Sequence, residues 1–555
     1  MRKWLAMLLA VGLVVAACGG GGDATAVPTA GPTATSAPAP TAVPTAVPTL
    51  TPLPKRTGST GTLNIARSRI GSGGYLTWFG SVGKNYLPFF DRLFNLNTDG
   101  VTVVPGLVER FEIPADGKAI TFFLRKGVPW HGDWGEFTAE DVKWSIDKSL
   151  APESKSSGGL LKPVMDRIEV ISPSVLTIFI TAPYGGDLPS LHKRTTVVSK
   201  RYVETVGEDE ANRKGIFTGP YKIVQDKDGE IIKLEAVDNH WRLTPEFQFI
   251  DVREVPEEAT RVALLKRGDT DIIETTHTIA QALGDEGFKT IRFSSTNNMA
   301  FPLYGQWLPP NENFAPFENK KVREALNLAI NRQEIADSIY DGYATPASTL
   351  SWYPWSHKFE PRPFDPLRAR QLLAEAGYAD GFKMDLWILQ WALGPAEQAD
   401  VAQAVAGYWS DIGIEVKIST FSIGEVFGNI VFRKVKGATW PQPTTITHPW
   451  WVNSTYYYDQ QGYIGTVYEN EEIQGILAEI RKASTTAERN RLTETITKKV
   501  YDDFNVVPIV TADARWMVSD RVGEWPTIKF FAAAFSNYEY VTHNPPLGLF
   551  RLFQP

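Results

Sequence analysis

"GLVERFEIPADGKAITFFLRKGVPWHGDWGEFTAEDVKWSID", Gly106 to Asp147, holds both kinds of secondary structure in one short span. In "AITFFLRKG" the apolar Ile120, Phe122 and Leu124 recur every second residue, the period that turns one face of a strand toward a core. In "FTAEDVKWSIDKSL" Thr138 stands three residues before Asp141, a relative of the capping box that starts a helix. A strand is followed by a capped helix.

The same signals continue outward. Leu63 and Ile65 in "GTLNIARS", and Leu176, Ile178 and Ile180 in "VLTIFIT", predict strands. "NKKVREALNLAINRQEIADSIYDG" puts Val322, Ala325, Leu326, Ala329 and Ile330 on one face and predicts a helix stopping near Gly342. In "DPLRARQLLAEAG", Asp365 is the expected cap, Pro366 the first helical residue and Gly377 the stop. "PAEQADVAQAVAGYWSDIGIEVKIS" reads as a helix running into a strand at Ile414, Val416 and Ile418. Helices and strands mixed at this density predict an α/β protein.

The amino end differs. Arg2 and Lys3 precede an uncharged run from Trp4 to Ala17, shorter than the roughly 18 apolar residues a membrane span needs. A basic start, a short apolar stretch and small residues form a secretory signal. The only cysteine of the chain, Cys18, follows at once. With no second cysteine there is no intramolecular disulfide, so the core must hold the fold. From Gly19 to about Thr60 the chain is almost entirely Pro, Thr, Ala and Val, with AVPT recurring at Ala26, Ala42 and Ala46. Such a segment cannot bury a core and favours extended polyproline geometry; about 40 residues reach up to ~120 Å. It reads as a stalk.

About 495 residues follow, beyond the ~250–300 at which one core stops growing, so two or more lobes are expected. The formal net charge of −7 excludes a nucleic-acid partner, which would want a basic face.

These segments, in this order, resemble the family 5 extracytoplasmic solute-binding proteins of ABC importers, the oligopeptide, dipeptide and nickel class. Gly106–Asp147 follows the family's pattern, including its Asp-Gly-Lys hairpin, "LRKGV" and "FTAEDV". The match continues through "GPYKIV" at Gly219, "NHW" at Asn239, "ATRVALLKRGDTDI" at Ala259 and "VREALNLAINRQEI" at Val322. "GYATPA" at Gly342, "AEAGYADGF" at Ala374, "GIEVKI" at Gly413 and "VVPIV" at Val506 complete it. Val15-Ala16-Ala17-Cys18 resembles a bacterial lipobox, which implies a signal peptide over 1–17 and lipidation of Cys18. Several acyl chains anchor stably where one does not. The mature chain is then an extracytoplasmic protein tethered to the cell membrane, in a periplasm or at the cell surface, by a linker over 18–60.

The resemblance implies a two-lobed periplasmic-binding-protein-like fold of type II, cluster C, closing over solute like a hinged clamp. Lobe I would comprise 61–295 plus 519–555, and lobe II 296–518, with hinge strands near "SSTNNMAF" and "VVPIVTADARWMV". Its partners would be ABC permease subunits and an oligopeptide-class solute, the chain acting as a monomer without a cofactor. Peptide-binding relatives place an acid after a tryptophan to hold the ligand's ammonium. The matching "GATWPQPTTITHPWW" keeps Trp440 but follows it with Pro441, Gln442, Pro443 and Thr444. The first carboxylate after it is Asp459. Oligosaccharide is therefore the alternative, since flat aromatic rings stack on sugars and the chain holds 17 Trp and 19 Tyr. Candidate ligand contacts are Trp440, Trp450, Trp451 and Asp459 from the second lobe, and Tyr75 and Trp78 from the first.

Other functions lack their residues. The seven histidines, at 131, 192, 240, 277, 357, 448 and 543, form no local metal-ligand pair, so no metal is expected. His131, within "WHGDWGEF", reads as part of a structural turn. There is no Gly-x-Ser-x-Gly, no His-Glu-x-x-His and no P-loop, "GSVGKNY" lacking the Ser/Thr and the spacing. An enzyme is not expected. A glycoside hydrolase would need a carboxylate pair. A surface adhesin would explain the stalk but not the motifs.

Overall fold

The computed structural model describes residues 58–71, 74–77, 87–96, 103–154, 165–181, 196–350, 353, 355–390, 397–431, 433–444, 467–483, 485–527 and 537–549. Cys18, Trp78, Trp450, Trp451 and Asp459 lie outside them, as do the signal and nearly all of the linker. From the amino end the strands are β1 (Thr62–Arg67), β2 (Phe94–Leu96), β3 (Val103–Pro105), β4 (Val108–Glu112), β5 (Ala119–Leu124) and β6 (Met165–Ser172). There follow β7 (Val175–Ile180), β8 (Tyr221–Lys227), β9 (Ile231–Ala236), β10 (Phe249–Glu254), β11 (Ile272–Glu274) and β12 (Lys289–Pro302). The last six are β13 (Ala344–Pro346), β14 (Lys383–Gln390), β15 (Glu415–Ser422), β16 (Ala438–Thr439), β17 (Gln442–Thr444) and β18 (Val506–Val518).

Local chemistry explains most of these elements. The alternation read at Ile120, Phe122 and Leu124 is β5, all three fully or nearly buried. Asp141 closes the start of the helix Ala139–Leu150 by accepting the Thr138 backbone N–H at 2.8 Å. Asp365 accepts the Arg368 N–H, Pro366 opens the helix Pro366–Glu375, and Gly377 adopts φ 88° just past its end. One expectation fails. The stretch read as a single helix to Gly342 is two, Lys320–Leu328 and Arg332–Ile339. The Asn331 side chain caps the second by accepting the Glu334 N–H. Arg332 gathers carbonyls freed by the break, those of Asn327 and Ile330. A polar cap inside an apolar period is what the period alone conceals. On β15, Ile414 is buried just before the strand while Ile418 is 40% exposed, because β15 is an edge strand.

The sheets organise the chain. One runs β17-β12-β18-β11-β1-β10-β9-β8, with β13 also against β18; a second is β15-β14-β16; a third is β4-β5-β7-β6. β1 pairs in parallel with β10 and β11, and β14 in parallel with β15 and β16. β12 and β18 form the long antiparallel pair. Lys289 to Phe293 face Val518 to Ala514; the register then shifts, and Asn297 to Pro302 face Ala512 to Val506. Before the shift β18 is flanked by β11, after it by β13, and there β12 is flanked by β17. Two strands are thus shared by two groups of neighbours.

Each group has its own core. Leu63, Ile65, Phe217, Tyr221, Val252 and Trp516 are buried around β1 and β10. Leu326, Leu372, Leu386, Trp409 and Ile509 are buried under the helices that cover β14 and β18. The carboxyl end of the chain returns to the first group. His543 stacks on Phe247 at 3.9 Å and its backbone N–H donates to Glu246. Ser59 and Thr60 already bond to Pro245 and Glu246, so the packed body starts before residue 61.

Candidate functional site

In open α/β sheets ligands bind outside the carboxyl ends of parallel strands, where the backbone turns away and leaves room. Here two such ends approach each other. Arg69, two residues past β1, donates to Gln390 Oε1, the last residue of β14, at 2.8 Å. His277, three residues past β11, lies against Glu397, with Nδ1 2.6 Å from Oε1. The loop after β1 is tied down by carboxylates from neighbouring strand ends. Glu274 accepts the Ser68 N–H and hydroxyl, and Glu254 accepts the Ile70 N–H. Glu258 accepts the Thr275 hydroxyl and the Thr276 N–H. Asp400 sits in the first turn of the helix Gln398–Asp411. Partial burial, with the charges of Glu397 and Glu258, pushes its pKa up.

Another segment begins where β16 ends, at Thr439. Trp440 is 1% exposed, stacked on Tyr304 at 3.9 Å and on Trp387 at 5.8 Å. Its indole N–H donates to Gln442 Oε1 at 2.9 Å, and Gln398 donates to the Pro441 carbonyl. The segment "WPQPT" is braced by these bonds, and its residues Gln442–Thr444 pair as β17 with β12. Asn298 on β12 accepts from Thr511 and donates to the Thr349 carbonyl, joining the shared strands to the loop after β13. Tyr75 is placed elsewhere. Its ring packs on Phe89 and Phe217 and its hydroxyl donates to Asp226 at 2.5 Å. Burial first, then Asp226, push its pKa far up. Of the sequence-selected residues, only Trp440 and Tyr75 are among the described ones, and they sit in different cores.

His131 is structural. Its backbone N–H donates to the Phe217 carbonyl, and its ring Nε2 lies 2.9 Å from the Gly219 carbonyl, pinning the "WHGDWGEF" turn to "GPYKIV". Among the described residues no group of three His, Cys, Asp or Glu could hold a metal ion, and no helix is long and apolar enough to cross a membrane.

The sequence profile of the bacterial extracellular solute-binding proteins, family 5, matches residues 102–470. The chain belongs to this family. It is a family of binding proteins rather than enzymes, and this member shares its α/β architecture with solved relatives. The ABC transporter-associated periplasmic binding protein DppA from Helicobacter pylori, solved with the peptide STSA, superposes with a TM-score of 0.77 at 21% identity. That match covers 88% of this chain and 98% of DppA. The glutathione-binding protein GsiB of Salmonella choleraesuis (strain SC-B67) is 29% identical over 341 residues, 61% of this chain and 64% of GsiB. The match thus spans somewhat less than two thirds of GsiB. The dipeptide-binding protein of Escherichia coli (strain K12) is 27% identical over 368 residues, 61% of this chain and 67% of that protein.

Sequence reading missed the meeting points between strand ends. Arg69, Gln390, His277 and Glu397 lie in unremarkable surroundings, and their partners are 321 and 120 residues away. No local pattern marks such pairs.

Proposed function

We propose that this family 5 protein is the solute receptor of an ABC importer and captures a short peptide between two bodies joined by β12 and β18. The observation that carries the reading is the shared strand pair with its register shift between Phe293 and Asn297, which gives two cores a common pivot. On this reading the bodies part at about Phe293–Asn297 on β12 and Ala512–Ala514 on β18. Body one is Gly58 to Phe293 with the tail after Ala514, and body two lies between. Solute touching both walls favours the closed form, which a permease then recognises. A lipid on Cys18 and the Pro/Thr/Ala linker would keep the receptor near that permease.

Peptide is the favoured class because the relatives named above are named for glutathione and dipeptides. Trp440 and, beyond the described residues, Trp450, Trp451 and Asp459 remain the proposed contacts of the second body; Tyr75 and Trp78 are those of the first. Oligosaccharide is the alternative. A thermal-shift screen of the chain lacking residues 1–57 tests the reading, since a ligand that binds only the native state at 100 times its Kd stabilises by about 2.7 kcal/mol. The panel holds Met-Leu, reduced glutathione, N-acetylated peptides, oligosaccharides and Ni²⁺. A shift with free peptides is expected. A shift with oligosaccharides alone would overturn the peptide class. Loss of the shift on N-acetylation would point to a carboxylate for the ammonium, Asp459 first.

A further inference from the structure

We infer that His277 and Glu397 form a latch that holds the two bodies together without solute, resting on the two-body reading above. His277 opens the helix His277–Asp285 directly after β11, whose pairing to β18 is confined to Val518, Met517 and Trp516. Glu397 immediately precedes the helix Gln398–Asp411 without capping it by its side chain, and that helix packs on β14 and β15 of the separate three-stranded sheet. The pair therefore spans the crossing. Both side chains are nearly sealed from solvent, at 2% and 3% exposure. Glu397 Oε1 takes two bonds from one residue, from Nδ1 at 2.6 Å and from the His277 backbone N–H at 3.1 Å. The second fixes the helix start as well as the ring, so the contact resists pivoting as a point contact would not.

The surroundings make this contact costly to leave half-made. The imidazole lies edge-on to Tyr340 and parallel to Tyr343, which carries the Arg515 guanidinium over its ring at 3.3 Å. His277 Nε2 is buried with no hydrogen-bond partner among the described residues. The neighbouring elements carry further charges: Asp400 on the helix that Glu397 precedes, Glu258 and Arg261 on the helix Glu258–Arg267 that packs on β11, Asp513 and Arg515 on β18, and Arg292 on β12. Arg292 is paired to Asp513 and Arg261 to the Glu274 carbonyl. Glu397 is thus the carboxylate in contact with His277, and removing either side chain would leave the other buried without its partner. Such groups favour whichever arrangement pairs them. Arg69–Gln390 is a second, exposed contact of the same kind.

The test is an inter-body distance measurement on the full chain with Cys18→Ser and spin labels at Lys227→Cys and Lys417→Cys, one exposed position in each body. Without solute the parent is expected to show a short-distance population. His277→Ala should lower the closed-to-open ratio by about tenfold, as expected for loss of a hydrogen bond to a charged group. Glu397→Gln keeps an acceptor oxygen and should lower it less, and it serves alone where His277→Ala does not fold. Unchanged distances in both variants would overturn the latch. Should Met-Leu or reduced glutathione still shorten the distance in those variants, the clamp stands and only the latch falls. A distance that moves in no protein with either probe would overturn both.

Discussion

Arg242 and Arg332 are equally buried, at 4% and 3% exposure, and are satisfied in opposite ways. Arg242, in the first body, donates to Asp91 Oδ1 at 2.8 Å, to the Tyr540 hydroxyl at 3.0 Å and to Glu539 at 3.2 Å. Asp91 also accepts the Trp241 indole N–H and lies 3.3 Å from His240 Nε2. Burial opposes the charge on Arg242, yet Tyr540, Asp91 and Glu539 outweigh it and push its pKa up. Arg332, in the second body, has no carboxylate among its hydrogen-bond partners in the described residues. It donates to the carbonyls of Pro508, Asn327, Ile330 and Arg362 and to the Asn327 amide oxygen. Burial, and then the Arg362 charge, pull its pKa down to about 9. With five oxygen acceptors it remains a cation at neutral pH.

The difference follows from what each residue joins. Asp91, the "NHWR" turn and the Tyr538–Tyr540 turn are separated by 149 residues and then 297 or more, and a buried charge pair links them where no backbone ladder does. Arg332 serves mainly nearby carbonyls, orphaned between two helices, and for those a donor fork is enough.

The largest expected effect tests the charged side. Asp91→Ala leaves Arg242 buried beside Glu539 alone and should cost about 3–5 kcal/mol in urea unfolding. Adding Arg242→Met should recover part of it, since removing both charges spares the orphan. Burial alone would raise Asp91's pKa, but His240 and Arg242 hold it well below the carboxylate range. Its contribution is therefore present above about pH 4 and is lost as pH falls below that.

Arg332→Met should cost less, about 1–3 kcal/mol, the penalty of carbonyls left unpaired rather than of a stranded charge. Equal losses for Asp91→Ala and Arg332→Met would break the comparison.

His131 supplies an uncharged contrast. Burial pulls its pKa down to about 4, against the partly offsetting Gly219 carbonyl. Between about pH 6.5 and 4 the unfolded chain binds a proton that the folded chain refuses, so stability falls as pH drops through that window. His131 is half-buried, so the fall is on the order of 2 kcal/mol rather than the full linkage value. His131→Gln, which keeps a donor for Gly219, should flatten the pH dependence of Tm there; an unchanged slope would assign it to other groups.

The smallest effect concerns Tyr75. Tyr75→Phe removes one bond to Asp226 and should cost about 0.5–1.5 kcal/mol. Titration of the variant with Met-Leu reads whether the hydroxyl also touches solute: a weakened Kd would make it a contact, and an unchanged Kd would leave it structural.

Where structure is local, residues announce it. Thr138 and Asp141, Asp365 and Pro366, and the alternation in β5 and β7 each encode an element within a few residues, because capping and pleat are short-range physics. The break at Asn331 was equally written there, but an apolar period hid it. The family was legible in the same way, as an ordered set of short motifs. The candidate site was legible only in part: Trp440 was found by its motif, while the stack of Tyr304 and Trp387 around it joins residues 136 and 53 positions away.

By itself, then, the sequence determined an α/β chain of more than one core, since length and periodicity suffice for that. Only the tertiary structure decided which strands are shared, which arginine is paired by charge, and that His277 meets Glu397. Those contacts close over 120 residues or more. Which pairs form depends on how whole sheets stack, and no local window contains that.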